Sequence, residues 1–174
     1  MQGFGLLQVY TGTGKGKTTA ALGVALRAIG AGAKVLMIQF MKGDANYGEV
    51  KGAKLLPNFT LRQMGRDSFV NFQAPDPVDI DMLQQGWQLA QEALLKQSYD
   101  LLILDEINIA LGYKLLDTTE IVQFLTSHQG HTEVICTGRD APEELMAAAD
   151  LVTDMNNKKH YFFAGVQSRD GIDH

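Results

Sequence analysis

Residues 11–19 read Thr-Gly-Thr-Gly-Lys-Gly-Lys-Thr-Thr and lie between an apolar run, 6–10, and a helix-like run, 20–26. Glycines in such a stretch let consecutive backbone N–H groups surround phosphate oxygens, and the helix that follows directs its positive end at them. Lys17 adds a point charge, and the hydroxyl of Thr18 is a suitable Mg²⁺ ligand. A glycine-rich turn without a ligand is the alternative, but the strand before and the helix after favour a nucleotide site. The predicted contacts are Gly12, Thr13, Gly14, Lys15, Gly16, Lys17, Thr18 and Thr19.

One position of this loop departs from the standard phosphate-loop pattern, G-x-x-x-x-G-K-[ST]. Counting back from Gly16, Thr11 stands where the first glycine belongs, while Gly12 and Gly14 are additional glycines. We therefore expect the loop to wrap phosphate differently from that of an ordinary ATPase.

Length and composition predict a single domain over residues 1–174, because 174 residues with 45% hydrophobic content can form one complete core. The net charge of −5 disfavours nucleic acid as a partner. Cys136 is the one cysteine, so neither a disulfide framework nor a Cys-based zinc site is expected. No apolar run reaches about 18 residues, which predicts no membrane span, and we expect a cytoplasmic location.

Six short apolar runs alternate with helix-like segments, which predicts an α/β fold with a P-loop, RecA-like, mostly parallel sheet and helices on both faces. The strands are predicted at 6–10, 34–40, 60–64, 101–105, 133–137 and 151–153. Two long irregular stretches, 41–58 and 65–78, follow strands and should overhang the nucleotide, where a second substrate would bind.

Helix starts are predicted from capping residues. Asp76 precedes a proline at the first helical position, and Asp117 begins a capping box, so each is expected to cap a helix. Trp87 repeats with other apolar residues at helical spacing and is predicted to lie in the core. A third helix is expected from about Asp140. We interpret His128 and His131 as surface residues of a polar loop.

Residues 101–106 read Leu-Leu-Ile-Leu-Asp-Glu, an apolar strand that ends in two carboxylates, Asp105 and Glu106. In phosphate-loop proteins a carboxylate at the tip of a neighbouring strand reaches the magnesium ion on the phosphates. The alternative is a pair of solvated acids, which the upstream loop disfavours. The residues themselves do not distinguish Asp105 from Glu106 as the ligand.

Two further groups of cationic residues have open interpretations. Arg139 follows another apolar run, where it either neutralises phosphate charge or is an exposed arginine before a helix. Lys158, Lys159 and His160 form either a solvated basic turn or a further anion contact.

Together these residues resemble the ATP:corrinoid adenosyltransferases of the CobA/CobO/BtuR type over nearly the whole chain. Seven segments in family order carry the resemblance. They are TGTGKGKTTAALG (11–23), VLMIQFMKG (35–43), Gly48 with Glu49, LLILDEINIAL (101–111), VICTGRDAPEEL (134–145), ADLVTDM (149–155), and KKH with AGVQSRDGID (158–173). The family's loop also lacks the first glycine.

The resemblance implies that reduced corrinoid, as Co(I), attacks C5′ of ATP and expels triphosphate. Because the corrinoid carries the chemistry, the protein positions C5′ and stabilises the leaving triphosphate. By the resemblance, the loop binds ATP, Lys17 and Arg139 are the catalytic cations, and Thr18 with Glu106, in preference to Asp105, holds Mg²⁺. A homodimer and a flavoprotein reductant are also implied.

Corrinoid recognition is where the chain departs from the family. Some members place Phe and Trp two residues apart after a glycine to displace the corrinoid's lower ligand. Here residues 65–72 read Gly-Arg-Asp-Ser-Phe-Val-Asn-Phe, so Phe69 and Phe72 are the candidate corrinoid contacts. The competing functions are a P-loop kinase or ATPase and a non-enzymatic module that binds nucleotide and corrinoid.

Overall fold

The computed structural model describes residues 3–173, which form a six-stranded sheet in which every strand pairing is parallel. The strands are β1 (Leu7–Thr11), β2 (Val35–Phe40), β3 (Phe59–Met64), β4 (Leu101–Asp105), β5 (Glu133–Thr137) and β6 (Leu151–Asp154). Their order is β3-β2-β4-β5-β1-β6. The predicted α/β sheet is confirmed, and it is parallel throughout.

Helices cover both faces of the sheet, as predicted. They are α1 (Lys17–Gly30), α2 (Gly48–Ala53), α3 (Pro77–Lys96), α4 (Ile107–Gly112), α5 (Thr118–His128), α6 (Glu143–Ala148) and a 3₁₀ helix (Tyr161–Ala164). Alternate residues of each strand face opposite sides. Val35 and Ile103 thus pack with α1, whereas Leu36 and Leu104 pack with α3 to α6. No helix within residues 3–173 is long and apolar enough to cross a membrane.

Local sequence signals placed two helix starts correctly. The carboxylate of Asp76 accepts a hydrogen bond from the backbone N–H of Val78 at the start of α3, and that of Asp117 accepts from Glu120 N–H at the start of α5. Trp87 is buried and packs edge-on against Phe124, so its core assignment is confirmed.

Three local predictions were wrong. The stretch 41–58 is not wholly irregular, because α2 lies inside it. The third helix begins at Glu143 instead of about Asp140, since Asp140 has a positive φ and Pro142 is the N-cap. His128 and His131 are exposed, as predicted, but His128 does not lie in a loop. It ends α5, and its ring stacks on that of Phe124 with centroids 4.2 Å apart.

The strand order changes one step of the sequence interpretation. Strand β5 lies between β1, which leads into the phosphate loop, and β4, which carries Asp105 at its end. The carboxylate was expected on the strand next to β1, but β4 is the second strand from β1. Helix α1 compensates, because it crosses the sheet face and brings Thr18 to β4.

Candidate active site

The loop after β1 has a backbone conformation that needs glycine. Gly12 and Gly16 have φ angles of 98° and 118°, in the left-handed region that side chains disfavour. The N–H of Gly14 donates to the carbonyl oxygen of Met155 at 2.6 Å, which fastens the loop to the segment after β6. Within the described chain, no side chain caps the start of α1. Its first N–H groups are therefore available to an anion.

Lys17 is buried beneath this loop. Its Nζ donates hydrogen bonds to the backbone carbonyl oxygens of Gly12 and Gly14, each at 2.7 Å, and so links the end of the loop to its beginning. Burial lowers the pKa of Lys17, with the charge of Glu106 acting in the opposite direction. The side chains of Thr13, Lys15 and Thr19 are exposed, in contrast to Lys17.

Asp105 is the residue that contacts Thr18, and it is completely buried. Its Oδ1 accepts hydrogen bonds from the hydroxyls of Thr18 at 2.8 Å and Thr137 at 2.6 Å. Its Oδ2 accepts from Lys42 Nζ at 2.8 Å and Gln39 Nε2 at 3.2 Å. Four donors saturate the carboxylate. Because Thr18 donates its proton to Asp105, the lone pairs of its hydroxyl oxygen are left for a cation.

The Thr18 hydroxyl bonds to Asp105, whereas the preference for Glu106 as the Mg²⁺ ligand stays a prediction. Glu106 caps α4 with a φ of 66°, and its side chain is 22% exposed. Burial, followed by the charge of Asp105, raises the pKa of the Glu106 carboxyl group. A divalent cation beside this carboxylate would favour its ionised form.

Lys42 and Gln39 are the site residues that sequence reasoning missed. Burial acts to lower the pKa of Lys42, but the charges of Asp105 and Glu106 outweigh it, and the pKa is raised. Gln39 also donates to Glu49 at 3.0 Å. The available signal was position: both residues lie at the carboxyl end of β2, where open parallel sheets bind ligands.

Arg139 is exposed at the end of β5, and its charge acts on both Lys17 and Glu106. The amide of Asn108 donates to the carbonyl oxygen of Gly138 at 3.1 Å, which holds the backbone beside Arg139. A phosphate contact of Arg139 stays a prediction. Within residues 3–173, no hydrogen bond or ion pair holds its guanidinium elsewhere.

Strained backbone marks three loops at this edge of the sheet. Met41, Glu106 and Asp140 are non-glycine residues with φ angles of 58°, 66° and 56°. Such conformations cost on the order of 1–3 kcal/mol each and cluster at functional sites. Of the six non-glycine residues with positive φ in the described chain, three thus lie at this edge of the sheet.

The loop 65–76 carries both candidate corrinoid contacts, in different environments. Phe69 is fully exposed, whereas Phe72 is half-buried and stacks on Tyr113 with ring centroids 4.5 Å apart. Arg66 fastens the loop to α3 through two hydrogen bonds to Asp79, at 2.8 and 2.7 Å. These bonds are the main cause of the lowered pKa of Asp79.

A cavity of about 330 Å³ opens beside the loop and is lined by Gly14, Lys15 and the segment 156–161. Lys158, Lys159 and His160 belong to that segment, so the cavity is rich in cationic and potentially cationic groups. Lys15 itself pairs with Asp173 at 2.8 Å. The anion contact predicted for the Lys158 to His160 stretch remains a prediction that this lining favours.

Oxygen donors of Thr18, Asp105 and Glu106 match the preference of Mg²⁺ for hard ligands. No group of three or more His, Cys, Asp or Glu side chains arranged to hold a metal occurs within residues 3–173. A magnesium ion here would therefore complete its shell with phosphate oxygens and water, as is usual for this ion at nucleotide sites. The residues fit a nucleotide-borne metal.

The parallel sheet, the glycine loop at the start of α1 and the Thr18–Asp105 contact define a P-loop nucleotide-binding protein. The particular family follows from comparison: residues 3–174 match the model of the ATP:corrinoid adenosyltransferase family BtuR/CobO/CobP, and the chain belongs to that family.

Individual relatives agree with the family match. The chain is 36% identical to a corrinoid adenosyltransferase of a Sinorhizobium species, covering 97% of this chain and 80% of the relative. It is 36% identical to one of Escherichia coli K12 and 34% identical to corrinoid adenosyltransferase CobA of Salmonella typhimurium, in each case covering 98% of this chain and 86% of the relative.

A solved structure supports the fold alone. The flagellar accessory protein FlaH of Methanocaldococcus jannaschii superposes with a TM-score of 0.61 at 12% identity, covering 87% of this chain and 71% of that chain.

Proposed function

We propose that this protein transfers the 5′-deoxyadenosyl group of ATP to the Co(I) of a reduced corrinoid and releases triphosphate. Membership of the adenosyltransferase family over residues 3–174 is the observation that carries the proposal. Co(I) supplies the electron pair of the new Co–C bond, and the broken C5′–O bond leaves its electrons on triphosphate. The protein therefore needs cations around the leaving group more than a nucleophile of its own.

The geometry supports that task. Lys17 lies under the loop at 2.7 Å from two carbonyl oxygens, so a small movement of its ammonium would carry it to phosphate oxygens. Arg139 would add a second positive charge from the end of β5. Thr18 and Glu106 would hold Mg²⁺, oriented by Asp105, and the ion would supply further positive charge to the leaving triphosphate.

The corrinoid is proposed to bind against the loop 65–76. Phe69 supports this placement because a fully exposed aromatic ring on a loop at the carboxyl edge has no packing role within the described chain. Phe72 is the alternative contact, presented together with Tyr113.

We further propose a homodimer in the cytoplasm, served by a flavoprotein reductant that supplies Co(I). An apolar surface supports self-association: Leu151 and Val152 are about half exposed on the edge strand β6, and Phe162 and Phe163 are exposed nearby in sequence. An unpaired sheet edge with exposed apolar residues favours a protein partner.

The test is a single incubation with ATP, Mg²⁺ and chemically reduced corrinoid, with both products identified. The proposal predicts that a Co–C bond forms, which is monitored by absorbance, and that one inorganic triphosphate is released for each Co–C bond formed. Release of ADP would instead indicate a P-loop kinase or ATPase. Binding of both substrates without a new Co–C bond in a single turnover would indicate a non-enzymatic binding module.

A further inference from the structure

Lys42 lies between the two carboxylates at the end of β4. Its Nζ is 2.8 Å from Asp105 Oδ2 and 3.8 Å from Glu106 Oε1. The side chain is 19% exposed, so it is largely removed from water. An ammonium group therefore occupies the neighbourhood in which the proposed divalent cation would bind.

The contact between Lys42 and Asp105 differs from a surface ion pair in its burial and its hydrogen bonding. Asp105 receives hydrogen bonds from all four donors that its oxygens can accommodate, and Lys42 is the one cation among them. Lys42 also follows Met41, whose positive φ turns the chain sharply after β2. Gly43 packs so closely on the backbone of Gly65 and Arg66 that a Cβ there would collide with it, which fixes the position of the turn.

Charge decides what this arrangement does. Two carboxylates without a counter-charge would attract a free divalent cation strongly, whereas an ammonium beside them cancels part of that attraction and repels the ion directly. A metal that arrives bound to ATP brings a net negative charge with it, so the ammonium then attracts the incoming complex.

We propose that Lys42 is the resident counter-ion of the Asp105–Glu106 pair and makes the metal enter with the nucleotide instead of ahead of it. The proposal rests on the nucleotide and metal site of the proposed function. It assigns Lys42 a positioning role, because it acts on the metal through the carboxylates.

The test measures Mn²⁺ binding to the free protein by the electron paramagnetic resonance of unbound Mn²⁺, without nucleotide or corrinoid. Lys42→Gln keeps a hydrogen-bond donor for Asp105 but removes the charge. We expect it to bind Mn²⁺ on the order of 10-fold more tightly than the wild type. Lys42→Arg, which keeps the charge, should bind as weakly as the wild type.

Lys54→Gln is the matched control, because Lys54 is exposed after α2 and loses the same charge away from Asp105. An unchanged affinity in Lys42→Gln, or an equal gain in Lys54→Gln or Lys42→Arg, would overturn the proposal. Should Lys42→Gln not fold, Lys42→Met, which also removes the charge, is measured instead: an Mn²⁺ affinity equal to that of the wild type overturns the proposal, and tighter binding supports it.

The two proposals can fail separately. Absence of Co–C bond formation contradicts the adenosyl transfer while leaving these Mn²⁺ affinities interpretable. Normal adenosyl transfer together with an unaltered Mn²⁺ affinity in Lys42→Gln contradicts the counter-ion role alone.

Discussion

At the scale of single residues, the position of Lys17 illustrates how a charged group is kept ready beneath a loop. Its ammonium donates hydrogen bonds to two backbone carbonyl oxygens, and burial lowers its pKa. A phosphate would offer a full negative charge in place of two dipoles. Exchange of partners thus costs little, and the loop is shaped in advance.

Replacement of this lysine should affect turnover more than folding. We expect Lys17→Ala to lose roughly 2.7–4 kcal/mol of transition-state stabilisation, about a 100- to 1,000-fold fall in kcat, because it removes a preorganised cation from the leaving triphosphate. Steady-state kinetics at saturating ATP measures this. Lys34→Ala is the control for lost charge, because Lys34 is exposed and directly precedes β2, at the amino ends of the strands. Wild-type turnover in Lys17→Ala would remove Lys17 from the mechanism.

The two adjacent carboxylates should separate into different roles. Glu106→Gln is expected to raise the magnesium concentration for half-maximal rate at least about 10-fold with little change in melting temperature, because Glu106 is the less satisfied group. Asp105→Asn should lose about 3–5 kcal/mol of stability, since it leaves Lys42 without its buried partner. A magnesium titration and a melting curve on each variant measure both effects.

The opposite pattern would reassign the ligand. If the magnesium titration of Glu106→Gln matches the wild type while Asp105→Asn keeps its stability but needs far more magnesium, then Asp105 contacts the metal directly and Glu106 does not.

At the scale of elements, the loop 65–76 is held on both sides of an open tip. Arg66 binds Asp79 in the first turn of α3, and Phe72 stacks on Tyr113 after α4, whereas Phe69 touches neither. The loop can therefore present a ring to a second substrate without rearrangement of the helices that support it.

The two aromatic rings should respond differently to truncation. Phe69→Ala is expected to change stability by less than about 0.5 kcal/mol, because the ring is fully exposed. Phe72→Ala should lose at least about 0.5–1.5 kcal/mol of stability, because it removes the ring that stacks on Tyr113. If Phe69 excludes the corrinoid's lower ligand, its loss should depress activity sharply when Co(II) is reduced on the enzyme, and much less with pre-formed Co(I).

Parallel assays with Co(II) and Co(I), together with a melting curve, measure this difference. Tyr113→Leu is a useful comparison, because it removes the stacking partner of Phe72 and leaves both phenylalanines in place. Equal losses in the two assays that follow a lowered melting temperature would contradict the wedge role for either ring.

At the scale of the whole molecule, the central strands are closed off on both faces. Cys136 lies in β5, between β4 and β1, and is completely buried. Burial raises the pKa of its thiol to about 12, so the reactive thiolate is scarce at neutral pH. Because the chain has one cysteine, this thiol reports on the opening of the entire sheet.

Labelling of Cys136 should therefore follow global unfolding. We expect a thiol reagent to react with the native protein only at the rate at which the sheet opens, and to react at once in denaturant. ATP with Mg²⁺ should slow the labelling by stabilising the native state. Time-resolved mass measurement gives the rate, and fast labelling of the native protein, unaffected by denaturant, would show that β5 opens locally.

Much of this architecture could be read from local signals. The phosphate loop is a contiguous stretch whose glycines, lysine and threonine act through the backbone next to them, and Asp76 and Asp117 cap the helices they precede. Alternating apolar runs predicted the sheet because a parallel sheet needs buried strands and covering helices. The start of α6 was predicted too early. Asp140 has a positive φ and Pro142 is the N-cap, and no capping pattern in the sequence signals the conformation of Asp140.

By itself, the sequence determined the fold class, the position of the loop and the family, because each is recognised from short segments whose signals are local to the chain. Only the tertiary structure decided which carboxylate meets Thr18 and that Lys42 balances it. Those contacts join residues 87 and 63 positions apart, across a strand order that places β5 between β1 and β4. Such pairings depend on where chain crossovers bring strand ends together, which no local pattern of residues encodes.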